Sequence, residues 1–161
     1  MLSAEEQERF SRHLLLDGLG GKGQERICAG AVSISLPEAF APVASACARA
    51  LAASGVRALE LCGPWSDQVS RECAELAPRL DFRLSSFISL EDLVSMSGDG
   101  ARVRIAVASR DPAAELLLSE APPESPADGA ALGALAALEA LKLLAGAGTP
   151  AAQPLQWLPR E

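Results

Sequence analysis

The 161-residue sequence has little basic charge, one histidine and no cysteines spaced as C-x-x-C. Each shortage removes a class of function. Acidic residues outnumber basic ones 21 to 14, for a formal charge of -7 at neutral pH. A chain of that balance lacks the basic face that neutralises phosphates, so no nucleic-acid and no membrane partner is expected. The four cysteines are Cys28, Cys47, Cys62 and Cys73, and the single histidine is His13. That set does not make a zinc site. Its spacing in a chain of this size does not read as a disulfide framework either. The thiols read as free, mostly buried and kept in a reducing, cytoplasmic compartment. The opening is acidic and amphipathic, without the basic stretch and apolar core of a secretory signal. The one long apolar stretch, Ala130 to Ala147, contains Glu139 and Lys142 and reads as a buried helix.

About half of the residues are apolar (49%), enough for one domain with its own core over residues 1–161. Ser3-Ala4-Glu5-Glu6 is a capping box in front of a helix that the pattern carries to about Leu16, with Phe10, Leu14 and the neighbouring leucines on its apolar side. Gly18, Gly20, Gly21 and Gly23 read as the end of that helix and a flexible joint, followed by a short helical turn over Gln24 to Ile27. Residues 1–28 therefore form a helical arm. Ala31 to Leu36 reads as a strand with Val32 and Ile34 on one face. Ala41 to Ser54 reads as a helix with Pro42 in its first turn and Gly55 as its stop. Val56 to Cys62 is a second strand. Strand, helix and strand within residues 31–63 make a βαβ unit with parallel pairing.

Beyond Gly63-Pro64, Asp67 to Ala77 reads as a helix with Val69, Cys73, Leu76 and Ala77 at helical spacing. Phe82 to Phe87 and Val103 to Ala108 read as strands, Leu90 to Met96 as a small helix, and Asp111-Pro112 as the start of a short helix through Leu118. Pro122 to Asp128 is a loop, and 129–145 is a long Leu/Ala helix. Leu155 to Leu158 is a candidate terminal edge strand. The pattern as a whole is α/β.

What the sequence most conspicuously lacks is glycine between its first strand and the helix that follows. The loop reads Ser35-Leu36-Pro37-Glu38-Ala39-Phe40. A mononucleotide-binding α/β protein places glycines there, so that the backbone turns tightly and its N–H groups approach a phosphate.

Several strings resemble one family. Arg9-Phe-Ser-Arg-His-Leu-Leu-Leu16 followed by Gly20-Gly-Lys-Gly-Gln24 looks like the opening of the ThiF/MoeB/HesA proteins, relatives of the ubiquitin-activating enzymes, whose usual opening is close to RYSRHLLLPEIG-x-x-GQ. The strand, loop and helix over Val32 to Ser54, with Gly55-Val56 after them, are similar to that family's Rossmann-like ATP site. Leu132-Gly-Ala-Leu-Ala-Ala-Leu-Glu-Ala-Leu-Lys-Leu-Leu144 is similar to its GALQALEAIKLL helix, and Trp157 lies where the family has a final strand. The resemblance covers both ends of the chain and the first βαβ unit. It implies a Rossmann-like, mostly parallel sheet flanked by helices, truncated relative to the family. Members of the family adenylate the C-terminal carboxylate of a small ubiquitin-fold sulfur-carrier protein with MgATP, and some then form a thioester on a cysteine. They are typically dimers in which an arginine of the opening segment reaches the partner's ATP.

Carried over residue by residue, the chemistry thins out. Aligned through Pro42, the glycines of the family's Gly-x-Gly-Gly-x-Gly-Ser-Pro loop fall on Ser35, Pro37, Glu38 and Phe40. Proline at 37 removes an N–H donor, and Phe40 adds bulk. Glu38 sets a negative charge near the place of a triphosphate, a repulsion of roughly 4 kcal/mol at 4 Å and an effective dielectric of 20. The family's ribose-binding aspartate falls on Gly63. No segment between Asp67 and Val103 matches the middle section that carries a lysine and a magnesium-binding aspartate. The only lysines are Lys22 and Lys142.

Arg12 occupies the position of the arginine that crosses the dimer, and Arg71 stands near that of a second active-site arginine. Each has a plainer reading. Arg12 reads first as a surface arginine of an amphipathic helix, His13 as a helix-face residue, and Glu38 as a solvated carboxylate near a helix N-terminus. The cysteines read as core packing. The resulting expectation is a non-catalytic, dimeric protein-binding or regulatory scaffold with no cofactor and no metal. One alternative is an MgATP-dependent adenylyltransferase acting on a ubiquitin-like carrier protein. The other is an inactive half of a heterodimer that lends Arg12 to a full-length paralogue.

Overall fold

Alternation of apolar and polar residues sets the centre of the molecule. The structure, a computed structural model, describes residues 1–36, 38–62, 67–85, 104–108, 114–118, 122–149 and 151. Strands β1 (Ala31–Ser35), β2 (Ala58–Cys62) and β3 (Asp81–Ser85) pair in parallel, with Val32 beside Leu59 and Leu59 beside Phe82. Strand β4 (Arg104–Ala108) runs antiparallel to β1, and β5 (Ala114–Leu117) antiparallel to β4. The order across the sheet is β3-β2-β1-β4-β5. The fold is therefore α/β, with a Rossmann-like three-stranded parallel sheet flanked by helices and two further strands added by antiparallel pairing. The expected short helix through Leu118 is instead β5. Its pairing with β4, Ile105 beside Leu116, overrides the helical preference of Ala and Leu.

Helix α4 (Ala41–Ser54) connects β1 to β2, and α5 (Asp67–Leu76) connects β2 to β3. Pro42 lies in the first turn of α4, and Gly55 ends it in the left-handed conformation at φ 89°. Val43, Ala44, Cys47, Ala48, Leu51 and Ala52 recur at helical spacing and are buried over Val32, Ile34, Leu59 and Leu61. Burial of the valine, isoleucine and leucine side chains among them contributes about 1.5–3 kcal/mol each. On α5, Val69 and Cys73 are buried as expected, but Leu76 is 43% exposed.

The last helix, α6 (Pro126–Ala145), is capped by Ser125, whose hydroxyl accepts the Asp128 N–H at 3.2 Å, and is ended by left-handed Gly146. Its small residues have a reason. A Cβ on Gly133 would collide with the Val43 carbonyl oxygen and lie 2.9 Å from the Ala46 Cβ. A Cβ on Gly129 would lie 2.8 Å from the Pro42 Cβ. Helices α4 and α6 thus approach backbone to backbone. Glu139 is buried within this helix, accepting from Lys142 Nζ at 2.6 Å and from the Ala151 N–H at 2.8 Å. It ties the chain back onto α6 after the turn at Gly146.

The N-terminal arm departs from its expected form. Helix α1 (Ala4–Arg9) has the capping box, but the helix breaks at Phe10 and resumes as α2 (Ser11–Leu14). The break lets the Phe10 ring sit on Gly55, where a Cβ would collide with it, and Phe10 is only 4% exposed. Leu15 and Leu16, expected on the apolar side, are 84% and 56% exposed. The glycine-rich joint is a ten-residue helix, α3 (Gly20–Ala29). Three glycines cost a helix about 1 kcal/mol each. Burial of Gly23, Gln24 and Ile27 against the end of α6 outweighs that, and a Cβ on Gly23 would meet Leu19 Cδ1 at 2.7 Å. The expected elements at 90–96 and 155–158 lie outside the described residues.

Candidate functional site

Ligands of open α/β sheets bind beyond the carboxyl ends of the parallel strands, where the connections diverge to either side. Here that place is the end of β1, flanked by β2 on one side and β4 on the other. The loop there is short and closed by side chains. Leu36 is buried, Glu38 to Phe40 form a single 3-10 turn, and Phe40 is the residue that leads into α4. Phe40 is 3% exposed and belongs to the main hydrophobic core. Glu38 and Ala39 face solvent. No described residue of the loop has a positive φ, so among the described residues there is no left-handed turn that would aim successive N–H groups at one anion. Pro42 removes a further donor from the first turn of α4. Ser35 is half-buried at the end of β1, directly opposite Cys62. Pro37 and Gly63 lie outside the described residues.

The two candidate arginines do not join this loop. Arg71 is exposed on α5, and its Nε donates to its own Asp67 carbonyl at 3.4 Å, one turn earlier. Arg12 is exposed on α2, with no ion pair or side-chain hydrogen bond among the described residues. Its helix is docked at the far end of α4. His13 Nδ1 lies 3.0 Å from Gln24 Oε1, and Gln24 Nε2 donates to the Ser54 carbonyl at 3.0 Å. That carbonyl fixes the Gln24 amide orientation, so His13 Nδ1 is the donor to Gln24. The 14 residues of α4 span about 20 Å between this docking point and the Phe40 loop. Within one chain, Arg12 and the loop occupy opposite ends of the sheet. His13 and Gln24, prominent in the opening string, act here as the clasp that holds the arm.

Three of the thiols, Cys28, Cys47 and Cys73, are not set up as nucleophiles. Burial pushes Cys47 up to about 12 and Cys73 up to about 11. Burial also raises Cys28, against a smaller opposing effect of its hydrogen bond from Gln24. An activated cysteine needs the reverse. All four cysteines are free. Among the described residues, no three His, Cys, Asp or Glu side chains converge in a way that would hold a metal ion. No described helix is long and apolar enough to cross a membrane.

Sequence reasoning missed the cleft under the arm. A cavity of about 200 Å³ lies between α1 and the starts of β2 and β3, lined by Arg9, Phe10, Cys28, Arg57 and Arg79 among others. Its walls come together through contacts across 67 and 74 positions of sequence, from Arg9 to the Leu76 carbonyl and from Arg79 to Glu5. No local pattern announces such a pairing.

The chain matches no family model, and no curated protein matches it.

Proposed function

We propose that this protein is a degenerate relative of the ThiF/MoeB/HesA proteins that keeps the Rossmann-like scaffold, has lost the nucleotide site, and works in the cytoplasm as a dimeric protein-binding or regulatory scaffold. The observation that carries the reading is the burial of Phe40 in the core at the place where the resemblance puts a loop glycine. An aromatic ring seated there makes the loop part of the hydrophobic core, whereas a phosphate loop must leave its N–H groups open to the ligand. Exposed Glu38 beside it sets a negative charge on the same approach. The binding half of the proposal draws support from Leu15, Leu16 and Leu138, large apolar side chains that are 84%, 56% and 51% exposed. Sedimentation velocity at micromolar concentration tests the assembly: a dimer is expected, and a monomer throughout contradicts it. Pyrophosphate exchange with ubiquitin-like carrier proteins tests the chemistry: none is expected, and carrier-dependent exchange contradicts the loss of the site.

A second reading draws on Arg12. It is exposed, without a partner among the described residues and remote from its own loop, which supports a role on another subunit. In that reading the chain is one half of a heterodimer with a full-length paralogue. An Arg12→Ala change that leaves the paralogue's rate untouched removes it.

A further inference from the structure

The cleft under the N-terminal arm concentrates positive charge in a chain whose formal charge is -7. Three arginines line it, Arg9, Arg57 and Arg79, together with two acids, Glu5 and Glu6. Both acids are already engaged. Glu5 accepts from Arg79 Nη2 at 2.8 Å. Glu6 closes the capping box, accepting the Ser3 N–H at 2.7 Å. Of the three arginines, only Arg79 has a carboxylate. Arg9 donates Nη2 to the Leu76 carbonyl at 2.7 Å, at the end of α5, and its guanidinium lies 5.1 Å from the Phe10 ring centre. Arg57 makes no ion pair or side-chain hydrogen bond among the described residues. Arg9 and Arg57, both exposed, therefore line one cavity with no carboxylate partner among the described residues. Three arginines against two acids leave the cleft net positive, and a concave wall strengthens that bias toward an anion.

The rest of the lining is apolar. Phe10, Val56 and Ala77 are almost fully buried, and the apolar surface open to a ligand comes from exposed Pro78 and half-buried Leu80. A ligand that satisfies both halves carries one anionic head and a short hydrocarbon body. An engineered cavity of about 150 Å³ holds benzene, so this one admits roughly seven or eight non-hydrogen atoms.

We propose that the cleft between α1 and the starts of β2 and β3 binds a small organic monocarboxylate, with the Arg57 guanidinium on the carboxylate and the hydrocarbon body against Pro78 and Leu80. The planar guanidinium suits a carboxylate because two N–H donors meet two oxygens in parallel. A ligand held there touches the arm on one side and the body on the other, so its binding also fastens the arm. This site is independent of the loop at Phe40, and neither proposal needs the other.

The probe is 4-methylpentanoate, which has eight non-hydrogen atoms by its formula, about what the cavity admits. Its binding is followed by calorimetry on the full chain, with 4-methylpentanamide and inorganic phosphate in parallel. The expected result is saturable binding of the carboxylate by the native protein and by Arg83→Gln, which removes an exposed arginine outside the cleft. Arg57→Gln should weaken that binding at least tenfold, Arg57→Lys should weaken it less, and the amide should not bind. The thermal midpoint should rise with carboxylate concentration and should not rise in Arg57→Gln. No saturable binding of the carboxylate, or equal binding by Arg57→Gln, overturns the proposal. So does equal binding of the amide, and phosphate binding as tight as the carboxylate overturns the apolar half of it.

Discussion

Replacing Phe40 by alanine probes whether the loop is a piece of the core. The ring is 3% exposed and packs within the cluster that includes Val32, Ile34, Val43 and Leu61. Truncating it loses about 2 kcal/mol of transfer free energy. The space left behind, if it does not collapse, adds about 2 kcal/mol more at roughly 24 cal/mol per Å³. A loss of about 4 kcal/mol is a large part of the 5–15 kcal/mol that typically holds a domain together. For a urea slope of about 2 kcal/mol/M, the unfolding midpoint should fall by about 2 M. The assay is equilibrium urea unfolding followed by far-ultraviolet circular dichroism, with Glu38→Ala as the companion. Glu38 is exposed in the same turn, so its replacement should move stability by no more than about 0.5 kcal/mol. A Phe40→Ala cost under about 1 kcal/mol at unchanged slope would refute the reasoning, because the ring would then not be filling the core.

Gly133→Ala should destabilise by about 1–3 kcal/mol despite alanine's better helix propensity, since the new methyl meets the Val43 carbonyl and forces α4 and α6 apart; urea unfolding reads it, and a gain in stability would contradict the close packing. At Glu139, burial raises the carboxyl, but the hydrogen bonds from Lys142 and from the Ala151 N–H, with the Lys142 charge, outweigh it and set the folded pKa below the ordinary value. A lowered folded pKa contributes stability that is present above the unfolded value and is lost as pH falls through the folded one. Thermal midpoints between pH 6 and pH 3 should therefore drop less steeply in Glu139→Gln than in the native chain, in measurements at about 0.1 M salt. Cys47 and Cys73 should resist maleimide at pH 8 in the folded protein and react on unfolding, because their thiols are buried and titrate near 12 and 11; rapid native labelling of either would place it outside the core.

The first βαβ unit was legible because its signals are local. Val32 and Ile34 alternate with small polar residues, Pro42 marks a helix start and Gly55 a helix end, and the structure uses each of them so. The long last helix was legible from the same kind of signal, although Ser125 and Pro126 begin it three residues before the expected 129. Two elements were hidden by tertiary packing. Three glycines argue against a helix at 20–29, and only the burial of Gly23, Gln24 and Ile27 makes one. Ala114 to Leu117 favours a helix in isolation and becomes a strand because β4 offers a partner. The absence of glycine from the loop was visible in the sequence, but the seating of Phe40 in the core was not. Nor was the roll of the opening string, whose Phe10, His13 and Gln24 hold the arm to Gly55 and Ser54 at the end of the sheet away from the loop.

The measurement that bears most directly on the proposed absence of a nucleotide site is a calorimetric titration of the full chain with MgATP. Leu36 and Phe40 fill the place beneath the loop, Pro42 withholds a donor, and Glu38 repels a triphosphate, so no saturable heat is predicted up to about millimolar nucleotide. Saturable binding at micromolar MgATP, abolished by a substitution in the loop at 35–40, would contradict the account.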